Sequence, residues 1–296
     1  MLLKFLFAVL LLLYSLSLQA QPLFYQLESD AGKLYILGGT EIPADMVWQS
    51  ETIETAMSHS TDFWTEVPVA DPELGIPTIR SEMAPGPGLP LHPVAMERGY
   101  GNLQLRDYFD VSMGERSVIE SQRLNLGSVN YGAMEPWLAW FTFYFNFIDT
   151  LDTHLTNPKD VLYRTAVMQD KRIHSLFETR SDWYLFLASM NDFAQTHYFQ
   201  HLYNLMDAMR SNAISSRYNW TTGQPDTKWV SNIKSRTPYF YTFMFERRNA
   251  ALAEQLINII QTGGVHFLYL DVDHLVGEDS VIRLLEVRGL ALSQLQ

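Results

Sequence analysis

Residues 243–292 read FMFERRNAALAEQLINIIQTGGVHFLYLDVDHLVGEDSVIRLLEVRGLAL, and the order of helix and strand patterns in this stretch indicates the fold class. In its first part, side chains that would share one helical face recur every four residues up to Ile260. This spacing predicts a helix from Phe243 to Ile260 with one apolar stripe. Arg248 heads that stripe, in line with Leu252 and Leu256, so we expect its side chain to point inward. The alternative is that its stem covers the apolar surface while its head group reaches solvent.

The second part of the stretch predicts a strand followed by a helix. The run from His266 to Val272 is apolar, as in a buried strand, and leads into Asp273-His274. A helix over Ser280–Val287 and a last strand near Leu290–Leu292 are expected next. Strands that alternate with helices predict an α/β (α+β) fold, in which helices pack on a central mixed β-sheet.

The front of the chain predicts an opening β-hairpin. Strands over Leu23–Glu28 and Lys33–Leu37 flank the turn-forming residues 29–32. The second strand leads into Gly38-Gly39, where the backbone can turn sharply and another group can approach closely. The hairpin therefore ends at a point suited to a functional site.

A helix over Ala44–Ser58 and a strand over Asp62–Val67 are predicted after the hairpin. The stretch from Pro68 to Pro93 contains seven prolines. This density predicts an extended covering loop without regular structure, and not a domain boundary. We expect a single domain over residues 21–296 that includes this loop.

The middle of the chain, from Asp107 to Met209, has a mostly helical pattern and predicts a helical region. It holds an aromatic cluster, which is typical of a core or of the wall of an apolar groove. A short strand over Arg172–Phe177 is expected to interrupt the helices and to end at Glu178. The aromatic residues are Trp137, Trp140, Phe141, Phe143, Tyr144, Phe145 and Phe147.

The first twenty residues predict a secretory signal peptide. Lys4 precedes an apolar run from Phe5 to Leu18, and cleavage is expected after Ala20. An uncleaved N-terminal anchor is the alternative. The run is shorter than the roughly 20 apolar residues that a membrane span needs. We therefore expect a secreted or periplasmic protein with no membrane contact after cleavage.

Composition limits the chemistry and the partners. The chain has a net charge of −12, and such a surface repels phosphate backbones, so nucleic acid is not an expected partner. It contains no cysteine, which excludes disulfides, thiol nucleophiles and thiolate metal ligands. Any metal site must therefore use His, Asp and Glu.

Six short motifs follow one another in an order that resembles the TraB/GumN (Tiki-like) family, and they span nearly the whole mature chain. The closing motif combines Arg248-Asn249, His274 and the glycines Gly277 and Gly289. The preceding motifs are LYILGGTEIP at 34–43, Ser60–Val67 with Glu66, Glu135-Pro136-Trp137, Leu151-Asp152, and Leu176-Phe177-Glu178-Thr179.

The resemblance implies a metal-dependent hydrolase that acts on peptide or related bonds. Glu66 and Glu178 occupy positions where the family has functional glutamates, so one would ligate metal while the other acts as general base. Arg248 would stabilise an oxyanion or hold one of these carboxylates. The alternative for both glutamates is that they cap helices or pair with arginines.

This chain departs from the family pattern at both presumed ligand motifs. The first is Gly-Thr-x-His in the family, whereas here Ile42 or, with a one-residue gap, Glu41 stands in place of the histidine. The glycine of the second motif is Asp271. The metal ligands predicted by the resemblance are therefore His274 and Glu41, for Mn, Co or Zn, or for no metal at all.

Bland alternatives exist for both predicted ligands. Glu41 could be a solvated loop residue, and His274 a hydrogen-bonded structural histidine. In an extended strand, Asp271 and Asp273 would face one way and His274 the other, so the three could ligate one ion only if the chain bends.

Three functions follow as hypotheses. The first is an exported hydrolase, and the second is a non-catalytic binding protein (a pseudoenzyme) that takes a peptide or small molecule in an aromatic groove beneath the loop. The third is an interaction protein that uses the loop from Pro68 to Pro93. The first two require that the turn at Gly38-Gly39 and His274 be neighbours in space.

Overall fold

The structure is a computed structural model that describes residues 22–69, 78–84, 91–151, 155–211 and 227–295. The predicted signal peptide, Asp152 and parts of the proline-rich stretch lie outside the described residues. Within the described ranges, no helix is long and apolar enough to cross a membrane.

A six-stranded mixed sheet forms the centre of the molecule, with β7 and β2 as its inner strands. Its order is β6-β4-β7-β2-β1-β8, and a separate two-stranded sheet joins β3 and β5. The strands are β1 Phe24–Glu28, β2 Gly32–Gly39, β3 Ile42–Pro43, β4 Asp62–Thr65, β5 Leu155–Thr156, β6 Arg172–Ser175, β7 Gly264–Asp271 and β8 Ala291–Gln294.

Strand direction divides the sheet into two parts. β2, β7, β4 and β6 are parallel to one another, whereas β1 is antiparallel to both β2 and β8. The predicted α/β fold with a mixed sheet and an opening hairpin is therefore confirmed. The apolar run of β7 is explained by its position, since residues His266–Leu270 are buried in succession, as is usual for a parallel strand whose faces are covered by helices.

Helices surround the sheet and supply most of the remaining core. α1 packs on β7, α6 on β4 and β6, and α11 on β2 and α12. The helices are α1 Glu51–His59, α2 Ile79–Met83, α3 Pro93–Arg98, α4 Val111–Arg123, α5 Pro136–Ile148, α6 Pro158–Met168, α7 Arg180–Ala188, α8 Asp192–Arg210, α9 Thr227–Arg236, α10 Pro238–Tyr241, α11 Arg248–Gln261 and α12 Val281–Val287.

The register of β2 against β7 places the front of the chain beside its back. Gly39 pairs with Asp271 at the carboxyl ends of the two strands, three residues before His274. A Cβ on Gly39 would lie 2.1 Å from the ring of Tyr269. The glycine is therefore needed for a close approach, as its position in the sequence predicts.

Two predicted boundaries are wrong at their N-terminal ends. The helix expected from Ala44 begins only at Glu51, because Ser50 adopts an extended backbone and its side chain accepts a hydrogen bond from the amide of Ile53. The helix expected from Phe243 is α11 only from Arg248 onward, and it is preceded by a π-helix over Thr242–Arg247.

The expectation of no regular structure between Pro68 and Pro93 is also wrong. The short helix α2 lies inside this stretch, in the interval without proline between Pro77 and Pro85. Thr78 caps it by accepting a hydrogen bond from the amide of Ser81. Proline removes amide donors only where it occurs, so one helical turn fits between two prolines.

Candidate active site

The carboxyl ends of β2, β4 and β7 bring acidic residues and one histidine to a single cavity. This inner cavity has a volume of about 300 Å³. Parallel strands deliver the residues that follow them to the same edge of a sheet, which is where α/β proteins bind ligands. The titratable residues that line it include Glu41, Glu66, Asp271, Asp273 and His274.

A bend after β7 explains how its last acidic residues and the histidine reach the same cavity. Asp271 ends the strand, and residues Val272–Leu275 form one turn of 3₁₀-helix. The Asp271 side chain accepts a hydrogen bond from the amide of Asp273, at 2.9 Å, and so fixes the turn. The alternation expected for an extended chain therefore does not separate Asp271, Asp273 and His274.

Glu66 is held by a buried arginine. Arg248 Nε donates to Glu66 Oε1 at 3.1 Å, and the guanidinium lies over the ring of Phe177 with its carbon 4.2 Å from the centroid. Arg248 is only 6% exposed, so its head group does not reach solvent. The buried Nη2 has no hydrogen-bond partner among the described residues. Of the two roles implied for this arginine, its contacts support the holding of a carboxylate.

Hydrogen bonds behind His274 fix which ring nitrogen carries the proton. Asn249 Nδ2 donates to the carbonyl oxygen of Asp279 at 2.7 Å, so Asn249 Oδ1 must be the acceptor for His274 Nδ1, 2.5 Å away. Nδ1 therefore bears the hydrogen of the neutral imidazole. The lone pair of Nε2 points to Glu66, whose Oε2 lies 3.7 Å away.

Burial keeps this imidazole neutral. Desolvation lowers the pKa of His274 below its ordinary value, and the Arg248 cation acts in the same direction. The carboxylates of Glu66 and Asp273 oppose the shift but do not reverse it. At neutral pH the site therefore presents an unprotonated nitrogen, which is the form that can accept a proton or bind a metal ion.

Glu41, and not Ile42, faces the cavity. The hydroxyl of Tyr144 donates to Glu41 Oε2, and both residues line the cavity. Ile42 is 2% exposed within the core and pairs with Thr156 across the small sheet. Glu41 and His274 thus line the same cavity, whereas Ile42 does not.

Glu178 is not brought to this group. It lies in the segment between β6 and α7, where it is exposed, and it does not line the inner cavity. β6 is the edge strand of the sheet, so the residues after it lie farther from β7 than those after β4. A catalytic role for Glu178 stays a prediction of the resemblance.

A second, larger cavity adjoins the first and includes residues that were not predicted from the sequence as part of a site. This outer cavity has a volume of about 550 Å³ and shares Tyr144 and Asn157 with the inner one. Burial raises the pKa of the Tyr269 phenol well above its usual range, so its hydroxyl stays protonated and donates to Asn157 Oδ1 at 2.9 Å. The sequence signal for Asn157 is the Asn-Pro start of a helix.

The metal ion implied by the resemblance would need three or more donors around one point. The donor types are suitable, since Nε2 of His274 carries a lone pair and the other groups are carboxylates. In the part of the chain that the structure describes, however, no three His, Asp or Glu side chains lie close enough to hold one ion. The side chains as placed do not form a metal centre.

Comparison with known proteins identifies the family. A model of the TraB/PrgY/gumN family matches residues 23–294. No curated protein and no solved structure matches the chain. The family match covers every strand of the sheet and every residue of the candidate site, so the chain belongs to the TraB/PrgY/gumN family.

Proposed function

We propose that the protein hydrolyses peptide or related bonds in the inner cavity. The observation that carries this proposal is the pair formed by His274 and Glu66. An unprotonated Nε2 faces a carboxylate oxygen at 3.7 Å, which is too long for a direct hydrogen bond but suited to a bridging water.

The chemistry follows from the protonation states. A water between the two groups donates one hydrogen to His274 Nε2, and its oxygen attacks the carbonyl carbon of the substrate. The imidazolium that forms is stabilised by the Glu66 carboxylate, and Asn249 holds the ring in place. The same proton then passes to the departing amine when the carbon–nitrogen bond breaks.

Arg248 acts as a positioning residue in this scheme. Its hydrogen bond to Glu66 Oε1 fixes the carboxylate and leaves Oε2 free to face His274.

The test is peptide hydrolysis by the purified chain and by two variants. Glu66→Gln and His274→Ala should each reduce the rate by about 10²–10⁴-fold, as expected for loss of general base catalysis. Arg106→Ala, an exposed residue far along the chain from the motifs, serves as the control. Unchanged rates in both site variants would reject the hydrolase.

Metal content should be measured in parallel. The resemblance predicts an ion held by His274 and Glu41, which would polarise the attacking water. Stoichiometric Mn, Co or Zn in the native protein that is lost in both Glu41→Ala and His274→Ala would support that prediction. N-terminal sequencing of the protein from its host tests export separately, since cleavage after Ala20 leaves Gln21 at the start.

A non-catalytic binding protein is the second candidate. Two observations favour it: Ile42 is packed into the core where the family has a ligand, and no three potential ligands converge within the described residues. Ligand binding in the cavity without hydrolysis would select this candidate.

A further inference from the structure

The two cavities form one groove. Five residues line both of them, so a ligand can extend from one into the other. Each volume is near or within the range of about 300–1,000 Å³ that is usual for ligand pockets. The shared residues are Glu41, Trp140, Tyr144, Asn157 and Trp183.

Charge is distributed unevenly along this groove. Among the described residues, the inner cavity is lined by four carboxylates and no lysine or arginine, whereas the outer cavity is lined by Arg80, Lys159 and Arg164 and shares the carboxylate of Glu41. Arg80 forms a bidentate ion pair with Asp149, which neutralises its charge. Lys159 and Arg164 have no carboxylate within salt-bridge distance among the described residues, although the exposed Asp160 also lines the outer cavity.

The position of Lys159 is not explained by helix stability. It lies in the first turn of α6, where the partial positive charge of the helix favours acidic residues and disfavours a cation. It is also half-buried, which weakens the screening of its charge by water. In a chain with a net charge of −12, two cations that line one cavity and have no carboxylate partner among the described residues are suited to contact an anion.

Between the cations and the acidic inner cavity lies an aromatic wall. Trp140 and Tyr144 are stacked, with centroids 4.7 Å apart, and Trp183 meets Phe141 edge to face. These rings line the outer cavity together with Phe145. Such a wall accepts apolar or aromatic side chains and offers little to a bare ion.

We propose that the groove binds an extended, carboxylate-bearing peptide. The carboxylate, from the C-terminus or from an acidic side chain, contacts Lys159 and Arg164, and an apolar side chain of the peptide packs on the aromatic wall. The reacting bond then lies in the inner cavity. Only this last placement rests on the proposed function, because the anion site and the wall do not depend on catalysis.

Equilibrium binding measurements test the carboxylate site separately from the proposed hydrolysis. Three peptides that carry the same uncharged fluorophore at the N-terminus are compared: Gly-Trp-Phe-Gly-Gly with a free C-terminal carboxylate, the same peptide as its amide, and an amide with Asp in the last position. Fluorescence anisotropy is measured with the native chain and with Glu66→Gln, which suppresses turnover. Thermal melting of each variant confirms that it is folded.

The expected result is a preference for carboxylate. The plain amide should bind more weakly than the free acid by about two- to fivefold, the size expected for one partly exposed ion pair. Tight binding of the Asp amide would show that a side-chain carboxylate is also accepted, and weak binding would restrict the site to the C-terminus. Lys159→Met and Arg164→Met should each reduce the preference, and together they should abolish it.

Arg106→Met is the matched control, because it removes one exposed positive charge from elsewhere on the surface. Equal binding of the three peptides to the native chain, or an equal loss in Arg106→Met, would overturn the proposal. A carboxylate preference without any hydrolysis would retain the proposal and reject the hydrolase. Hydrolysis without a carboxylate preference would support the hydrolase and overturn the proposed carboxylate site.

Discussion

The two edges of the parallel strands carry similar side chains in different states. At the amino edge, Asp62 meets Arg172 and His174, and at the carboxyl edge Glu66 meets Arg248 and His274. Each group thus combines a carboxylate, an arginine and a histidine, and at the amino edge a second histidine, His266, lies 3.6 Å from Asp62. β4 contributes the carboxylate at its start in one case and just after its end in the other.

The groups differ in how fully their hydrogen bonds are satisfied. Asp62 accepts from Thr61, Arg172 and His174 at 2.7–2.8 Å. The separation of His274 from Glu66, 3.7 Å, is close to the 3.6 Å between His266 and Asp62 and does not distinguish the two groups. At the carboxyl edge, however, a buried nitrogen of Arg248 has no partner among the described residues. Residue types alone therefore do not distinguish a candidate site from a structural cluster. The group at the carboxyl edge is distinguished by a buried donor without a partner among the described residues and by its position beside a cavity.

The largest effect should come from removing the carboxylate partner of the buried Arg248. Glu66→Ala leaves a 6%-exposed guanidinium without its counterion and should lower the free energy of unfolding by about 3–5 kcal/mol. Adding Arg248→Met should restore more than half of that loss, because the double variant buries no charge. Chemical denaturation of the single and double variants measures both values.

The same pair of changes at the amino edge gives the control. Arg172 has a side chain that is 69% exposed, so Arg172→Met should not restore stability to Asp62→Ala beyond about 1 kcal/mol. Equal rescue at both edges would remove the distinction between them.

Asp62→Asn should have the next largest effect, and on stability alone. The amide accepts fewer hydrogen bonds than the carboxylate, so a loss of about 1–3 kcal/mol is expected. Burial alone would raise the pKa of Asp62, but bonds from Thr61, Arg172 and His174 outweigh it and lower that pKa. The stability difference should therefore be complete above about pH 4 and disappear as the pH falls through the lowered pKa. The rate of peptide hydrolysis by the folded variant should match that of the native chain.

A smaller effect is expected from the titration of His274. Its pKa in the folded chain is lowered by burial, so below about pH 6.5 the unfolded chain binds a proton that the folded chain does not. The free energy of unfolding should be independent of this group above that pH and should fall as the pH is lowered toward the folded pKa. His92 and His197 also have lowered pKa values, so the measured quantity is the difference between the native chain and His274→Gln. A difference that does not change with pH would contradict a neutral buried imidazole.

The smallest effect should come from Arg172→Met alone. This exposed partner of Asp62 should contribute about 0.2–1 kcal/mol, and the contribution should decrease at high salt. A loss above 2 kcal/mol, measured by thermal melting at low and high salt, would place Arg172 in the same class as Arg248.

The six strands of the central sheet, but not β3 and β5 or the order of the strands, can be predicted from the sequence, because apolar runs between turn residues favour strands. The opening hairpin, β7 and the meeting of Gly39 with the segment before His274 are confirmed. The inward direction of Arg248 followed from its place on a helical stripe, and its burial agrees with that prediction.

Other features depend on contacts between distant segments. No local pattern distinguishes Asp62 from Glu66, since one begins and the other follows the short strand β4. The two carboxylates differ in the donors that reach them from distant segments. Tyr144 reaches Glu41 from a helix about a hundred positions later in the chain, and Asn157 is fixed by Tyr269. The 3₁₀ turn after β7 brings Asp271, Asp273 and His274 to one cavity, whereas an extended strand would direct His274 to the opposite face.

The π-helix before α11 has a consequence for how this cavity can change. A π turn contains one residue more than an α turn, so loss of one residue between Thr242 and Arg247 would allow an ordinary helix to form. Arg248 and Asn249 would keep their places on the sheet side, while the preceding residues would rotate by about 100° around the axis. Met244 and Phe245, which line the inner cavity, would then be exchanged for other side chains. Single-residue deletion at this point is therefore a route by which relatives could acquire a different ligand without altering the groups that hold Glu66 and His274.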